Sequence, residues 1–286
     1  FMRKLLLTIL FLGAVFSNAY AVYYKADYTA SSSTNQARAG IYTGNPDILI
    51  FGAEYGYYYI QSENTAPKKA HSGYLPFFFN TSYGVLKVIP FYYHEPKIKK
   101  DGFGATLGFE SFIKENSDGY VKGFLDVSGT TSKDITVNLK DGSSENKDFN
   151  QLAYTLGVKT NYYDSFYVDV DINIFQYLSG VSKVSTHNLF IDQKDLAPLK
   201  TVAPIVNLPE YSAGLQFAKM FEDNKNKLIL SYGLLKFHDA KTTHSFIIGN
   251  SLKIQRDVYF DIYYNYLTKS LYNTRNYLKF SLKRTF

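Results

Sequence analysis

From residue 22 onward the hydrophobic pattern of this chain has a period of two. Phe166, Val168, Val170, Ile172 and Ile174 alternate with Tyr167, Asp169, Asp171 and Asn173. Val258, Phe260, Ile262, Tyr264 and Tyr266 alternate with Tyr259, Asp261, Tyr263 and Asn265. Leu152, Tyr154, Leu156 and Val158, and again Phe246, Ile248, Leu252 and Ile254, keep the same rhythm. Successive side chains of a strand point to opposite faces, so each segment has one apolar and one polar face. The pattern predicts strands over 22–31, 36–43, 48–62, 74–82, 86–94, 103–114, 120–130, 149–161, 166–178, 210–220, 227–237, 244–255, 258–268 and 274–286. Connectors over 63–73, 95–102, 131–148, 179–209 and 238–243 are expected to be long. Those at 115–119, 162–165 and 256–257 are brief.

A soluble β-sandwich alternates as well. Against it stand segment lengths suited to a tilted membrane span of about 9–11 residues, beyond the usual five or six. The apolar faces are rich in Tyr and Phe, as where strands cross headgroup zones. Alternation of short and long connectors points the same way. The expectation is an all-β, closed antiparallel transmembrane barrel of about fourteen strands, with both termini on the short-turn side. Twelve strands plus an N-terminal segment is the alternative, because the first two segments are Ala-, Ser- and Thr-rich.

Composition narrows the picture. Aromatics make up 17% of the chain, with 27 Tyr, 23 Phe and no Trp. There is no Cys, which excludes disulfides, thiolate metal sites and a cysteine nucleophile. A mean hydropathy of −0.20 excludes a helical membrane bundle but suits a barrel, where only alternate residues meet lipid. Met2-Arg3-Lys4, the apolar run Leu5–Phe16 and Ala19-Tyr20-Ala21 have the layout of a secretory signal peptide. Residues 1–21 are therefore read as a leader and 22–286 as one barrel domain. The formal charge is +6; without Arg3 and Lys4, 29 basic residues stand against 25 acidic ones, or +4. That excess is too mild and too evenly spread for a nucleic-acid partner.

The chain ends Asn276-Tyr277-Leu278-Lys279-Phe280-Ser281-Leu282-Lys283-Arg284-Thr285-Phe286. Leu278, Phe280, Leu282 and Phe286 share one face. An amphipathic last strand closing on a terminal Phe resembles the assembly signal of bacterial outer-membrane β-barrel proteins, porin-like in architecture. The resemblance covers 22–286 and implies outer-membrane lipid, lipopolysaccharide and the barrel-assembly machinery as partners. Arg284 departs from the pattern by placing a charge on the apolar face.

With the aliphatic faces toward lipid, the inward set becomes Glu54, Glu110, Lys114, Lys122, Asp126, Lys159, Asp169, Asp171, Lys253, Asp261, Lys279 and Lys283. Such a set does not belong in a dry core, where each unpaired charge costs several kcal/mol. It predicts a hydrated lumen, with Lys159 near Asp169 and Asp171, Lys253 near Asp261, and Lys122 near Glu110. An acidic waist of Glu54, Asp126 and Asp171 above a basic inner mouth would make passage weakly cation-preferring. Segment 179–209 is too apolar for a freely solvated loop. It is expected to fold into the lumen, cap the rim or form an extra hairpin.

Catalytic signals are weak. The histidines are His71, His94, His187, His238 and His244. Ser185, His187 and Asp192 sketch a triad from residue types that are common in loops. His238 and His244, flanking Asp239, are a sketch of a metal site that ordinary loop residues also satisfy. Lys97, Lys99 and Lys100 form a small basic stretch suited to lipopolysaccharide or to simple solvation. The expected function is a weakly selective diffusion channel for small hydrophilic solutes, with no cofactor and no chemical step. The alternatives are a surface-interaction barrel (adhesin or export helper) and, behind it, an integral-membrane hydrolase.

Overall fold

A computed structural model describes residues 22–62, 65–95, 100–139, 141–163, 165–178, 199–201, 208–221, 225–238, 240–268 and 275–285. The strands are β1 (Val22–Ala30), β2 (Thr34–Asn45), β3 (Leu49–Ser62), β4 (Thr65–Tyr74), β5 (Phe77–Thr81), β6 (Gly84–Glu95), β7 (Lys100–Asn116) and β8 (Gly119–Asn138). They continue as β9 (Ser144–Tyr162), β10 (Phe166–Tyr177), β11 (Pro209–Met220), β12 (Asn226–Phe237), β13 (Ala240–Gln255), β14 (Val258–Leu267) and β15 (Asn276–Arg284). All pairings are antiparallel and nearly all join consecutive strands. β1 pairs with β15, from Tyr24↔Arg284 to Ala30↔Leu278, and β2 pairs with β3. The sheet therefore closes on itself and leaves no edge, as a membrane wall requires.

The wall has fourteen positions, because β4 and β5 are two halves of one strand. Both lie between β3 and β6. The break at Leu75-Pro76 has a simple cause. Gly52 N–H donates to Pro76 C=O at 2.9 Å, and Leu75 N–H donates to Pro90 C=O at 3.0 Å. Neither proline has an N–H to return the bond, so two ladder bonds are missing at one level. The sequence pattern finds only the lower half, 74–82. Within the expected connector 63–73, residues 65–73 are strand.

Other expected connectors also shrink. Segment 131–148 is mostly an extension of the β8–β9 hairpin, paired from Ile135↔Lys147 to Asn138↔Ser144. Among the described residues, the expected long separation between successive strands remains between Tyr177 and Pro209. Beyond the membrane both faces of a strand meet water, so hydrogen bonding continues after the apolar alternation has stopped. At the opposite end the turns are tight. Gly119 closes one with φ of +142°, where a Cβ would stand 2.0 Å from Asn161 O. Such a position needs glycine.

The faces divide as the period-two pattern predicts. In β10 Val170, Ile172 and Ile174 are about half exposed on the outer wall, while Asp171 is 1% and Asn173 0% exposed. Leu278, Phe280 and Leu282 of β15 face outward; Phe286 lies outside the described residues. The enclosed space inside the wall is the centre of the molecule.

Candidate functional site: the barrel interior

Period-two geometry places charge on the inner face, and these charges occur in pairs. Arg38 Nε and Glu54 Oε2 are 2.5 Å apart on neighbouring strands. Tyr42 also donates to Glu54, and the Arg38 guanidinium lies 4.5 Å from the Tyr74 ring centroid. Asp126 meets Lys87 at 2.6 Å. Glu110 meets Lys159 at 2.5 Å and Lys122 at 3.5 Å. Asp261 meets Lys283 at 2.7 Å, and Asp27 meets Lys279 at 3.1 Å and Lys25 at 3.3 Å. Asp169 and Asp171 share Lys200, at 2.9 and 3.0 Å.

Several of these partners differ from the sequence expectation. Lys122 is near Glu110 as anticipated. Lys159 sits in register with Asp169, yet its ammonium turns to Glu110. Asp261 takes Lys283, whereas the Lys253 ammonium lies 5.9 Å from the Tyr259 ring centroid. Lys114 leaves the interior row altogether. A bulge at Ile113 shifts the register so that Lys114 stands opposite Val121, and Lys114 is exposed. The acids of the expected waist, Glu54, Asp126 and Asp171, each have a cation at hand. Arg38, Lys87 and Lys200 supply them, and none was in the sequence-derived set. Lys87 hides in the nearly unbroken apolar run Val85-Leu86-Lys87-Val88-Ile89, which hides its face.

Lys200 belongs to the long connection between β10 and β11, and its place decides the shape of the lumen. Gly214 of β11 and Gly233 of β12 are register partners on the inner face. A Cβ on Gly214 would stand 2.3 Å from Lys200 Cγ, and one on Gly233 would stand 2.6 Å from Lys200 O. The two glycines form a notch in which the loop backbone rests against the wall. The next residue, Thr201, donates its hydroxyl to Asn265 Oδ1 of β14 at 3.0 Å. Asn265 in turn donates to Ser245 Oγ at 2.7 Å. Residues 199–201 thus run along the inside of the wall from β10 to β14.

One of the receiving carboxylates, Asp171, is held in advance. Asn173 donates to Asp171 Oδ1 and to Ser212 Oγ, both at 2.9 Å, and accepts from Thr155 at 2.6 Å. Towards the long-loop end the interior between β9 and β12 is apolar. Phe149, Phe175, Leu235 and Phe237 are buried there, as are Leu199 and Leu208 of the connection. This patch accounts for apolar residues in the connection: Leu199 and Leu208 are stowed inside the barrel.

The remaining chemical candidates are dispersed. His187, Ser185 and Asp192 lie outside the described residues, as do Asp239 and Lys97 and Lys99. His238, exposed just beyond the end of β12, faces Glu210 at 3.2 Å and packs on Tyr177. His244 bonds the Tyr232 hydroxyl on the outer wall, so the two histidines have different partners. Among the described residues no group of three or more ligand-type side chains is arranged to hold a metal ion. His94 Nδ1 lies 2.7 Å from Asp101, which also accepts from Tyr92, and His71 bonds Tyr55; this cluster is on the lipid-facing side near the outer rim.

No protein-family model and no curated protein matches the sequence. Solved structures do resemble the fold. The toluene transporter TodX of Pseudomonas putida superposes with a TM-score of 0.51 at 10% identity, covering 94% of this chain and 90% of that one. CdiB from Acinetobacter baumannii gives 0.50 at 10% identity, over 93% of this chain and 60% of that one. The KdgM porin in complex with oligogalacturonate gives 0.47 at 8% identity, over 92% and 99%. With its closed fourteen-position wall, apolar outside and charged inside, the chain has the architecture of a porin-like outer-membrane β-barrel.

Proposed function

We propose that the protein is an outer-membrane diffusion channel for small hydrophilic solutes, weakly selective and without a chemical step. The observation that carries this reading is the density of charge on the inner face, including Asp171, Asp126 and Asp261, under a wall with no open edge. Charges at this density call for water in the lumen. TodX, named as a toluene transporter, is a precedent for transport through this fold. The inward residues other than Lys114 are the lining, and residues 199–201 narrow it. Export through the leader 1–21, assembly through Leu278, Phe280, Leu282 and Phe286, and lipopolysaccharide contact through Lys97, Lys99 and Lys100 belong to the same proposal.

Single-channel recording in planar bilayers tests it. The expected result is a stable stepwise conductance. A folded, inserted barrel that stays electrically silent with the loop both docked and released would overturn the channel and favour a surface-interaction role.

A further inference from the structure

We infer that the inner mouth of the barrel is a binding collar for ring-shaped, hydroxylated carboxylates, that is, sugar acids. The inference rests on the channel reading and gives it a solute class. At the short-turn end the inner face carries Lys25, Lys227, Lys253 and Lys283 on one side and Lys122 and Lys159 on the other. Two of the contacts are directly opposed like charges, Lys25↔Lys283 and Lys122↔Lys159. Such pairs destabilise a sheet.

Asp27, Asp261, Glu110 and Asp169, the last in register with Lys159 but bridged to Lys200, answer part of this charge, four acids against six lysines. Lys227 and Lys253 meet no carboxylate among the described residues. Their ammonium groups lie over rings instead, Lys227 at 3.9 Å from Tyr167 and Lys253 at 5.9 Å from Tyr259. Lys283 stands 6.0 Å from Tyr259 on its other flank, Lys122 is 4.3 Å from Phe112, and Lys159 is 4.8 Å from Phe124. The Lys227 and Lys253 ammonium groups are held in place by the ring quadrupole, with no carboxylate among the described residues to take up their N–H donors. The collar therefore offers three things at one level. Surplus cations attract a carboxylate, the Tyr259 and Phe112 rings lie beside them with accessible surface for the C–H face of a saturated ring, and the Tyr259 phenol takes up a hydroxyl. A sugar acid uses all three; a neutral sugar lacks the first, and a simple aromatic acid lacks the last.

The test is current blockade in planar bilayers, with glucuronate, glucose and benzoate added in turn to the short-turn side. Glucuronate is expected to block at concentrations where glucose and benzoate do not. The double variant Lys227→Gln/Lys253→Gln should raise its half-blocking concentration by about three- to tenfold, the scale of two exposed charge contacts. Equal indifference to glucuronate and glucose in a conducting channel overturns the collar and leaves the channel standing. Benzoate blocking as well as glucuronate overturns the sugar-acid assignment. Blockade unchanged in a double variant with an unaltered β-sheet circular dichroism spectrum overturns the site. A barrel that never conducts fails the channel reading itself.

Discussion

The substitution Lys200→Ala isolates what holds the loop inside the barrel. Lys200 is the shared partner of Asp169 and Asp171, and Asp171 is 1% exposed beneath it. Removing one member of a buried pair costs about 3–5 kcal/mol, mostly because the remaining charge is left without water or partner. Here the carboxylates regain water if the loop lifts away, so the cost becomes a force for release. At about 1.4 kcal/mol per decade, the ratio of docked to released loop falls by about two to three and a half decades. Single-channel recording reads this directly. Wild type should show a small, steady conductance, and Lys200→Ala a larger one or rapid flicker between two levels. Asp169→Asn/Asp171→Asn in the Lys200→Ala background removes the stranded charges and should restore part of the docked state. Identical conductance and noise in wild type and Lys200→Ala would refute the reasoning, because the salt bridge would then not set the loop position.

Gly233→Val should release the same loop with no change in charge, since even a Cβ there meets Lys200 O at 2.6 Å; its conductance should match that of Lys200→Ala. In lipid, cysteines at 227 and 253 should react with a water-soluble thiol reagent while those at 170 and 172 stay unmodified, and mass spectrometry would show the reverse if the faces were inverted. Ile172→Lys puts a charge on the lipid face and should lower barrel stability in vesicles by about 2–4 kcal/mol near the midplane, whereas Lys114→Gln, beyond the bulge, should leave both stability and conductance unchanged in unfolding and bilayer assays.

Legibility in the sequence followed the contrast between the two faces. In β10, β14 and β15 one face meets lipid and the other meets charge, so boundaries and orientation were readable to within a residue or two. β4 was missed because Pro67-Lys68-Lys69-Ala70-His71-Ser72-Gly73 has no apolar alternation; its ladder with β3 is held by backbone groups that pattern cannot show. The upper β8–β9 hairpin escaped for the same reason. Among the site residues, the acids were found because they interrupt clear apolar runs. Their partners Arg38 and Lys200 come from an Ala- and Gly-rich strand and from a loop. Pairing of this kind depends on which strands meet, and a one-residue bulge, as at Ile113, is enough to reverse a side chain. The notch of Gly214 and Gly233 is likewise invisible until the two strands are laid side by side.

The upper β8–β9 hairpin sets a condition on how the protein survives in a crowd. Pairing of β8 with β7 ends at Gly102↔Ser132, and pairing of β9 with β10 ends at Tyr177↔Gln151. Beyond those levels, among the described residues, the ribbon's two strands make ladder pairs only with each other, so each presents an outer margin of the kind an edge strand has. That is the template by which chains stack into aggregates. The sequence over this stretch carries Lys133, Asp134, Lys147 and Asp148, and closes through Asp141. Recruiting a further strand would bring the exposed Asp141 and Asp148 against its neighbours and strip them of water. The ribbon can thus stand clear of the rim without polymerising, and exchanging these charges for Thr or Val would be expected to turn a monodisperse preparation into one that forms fibres.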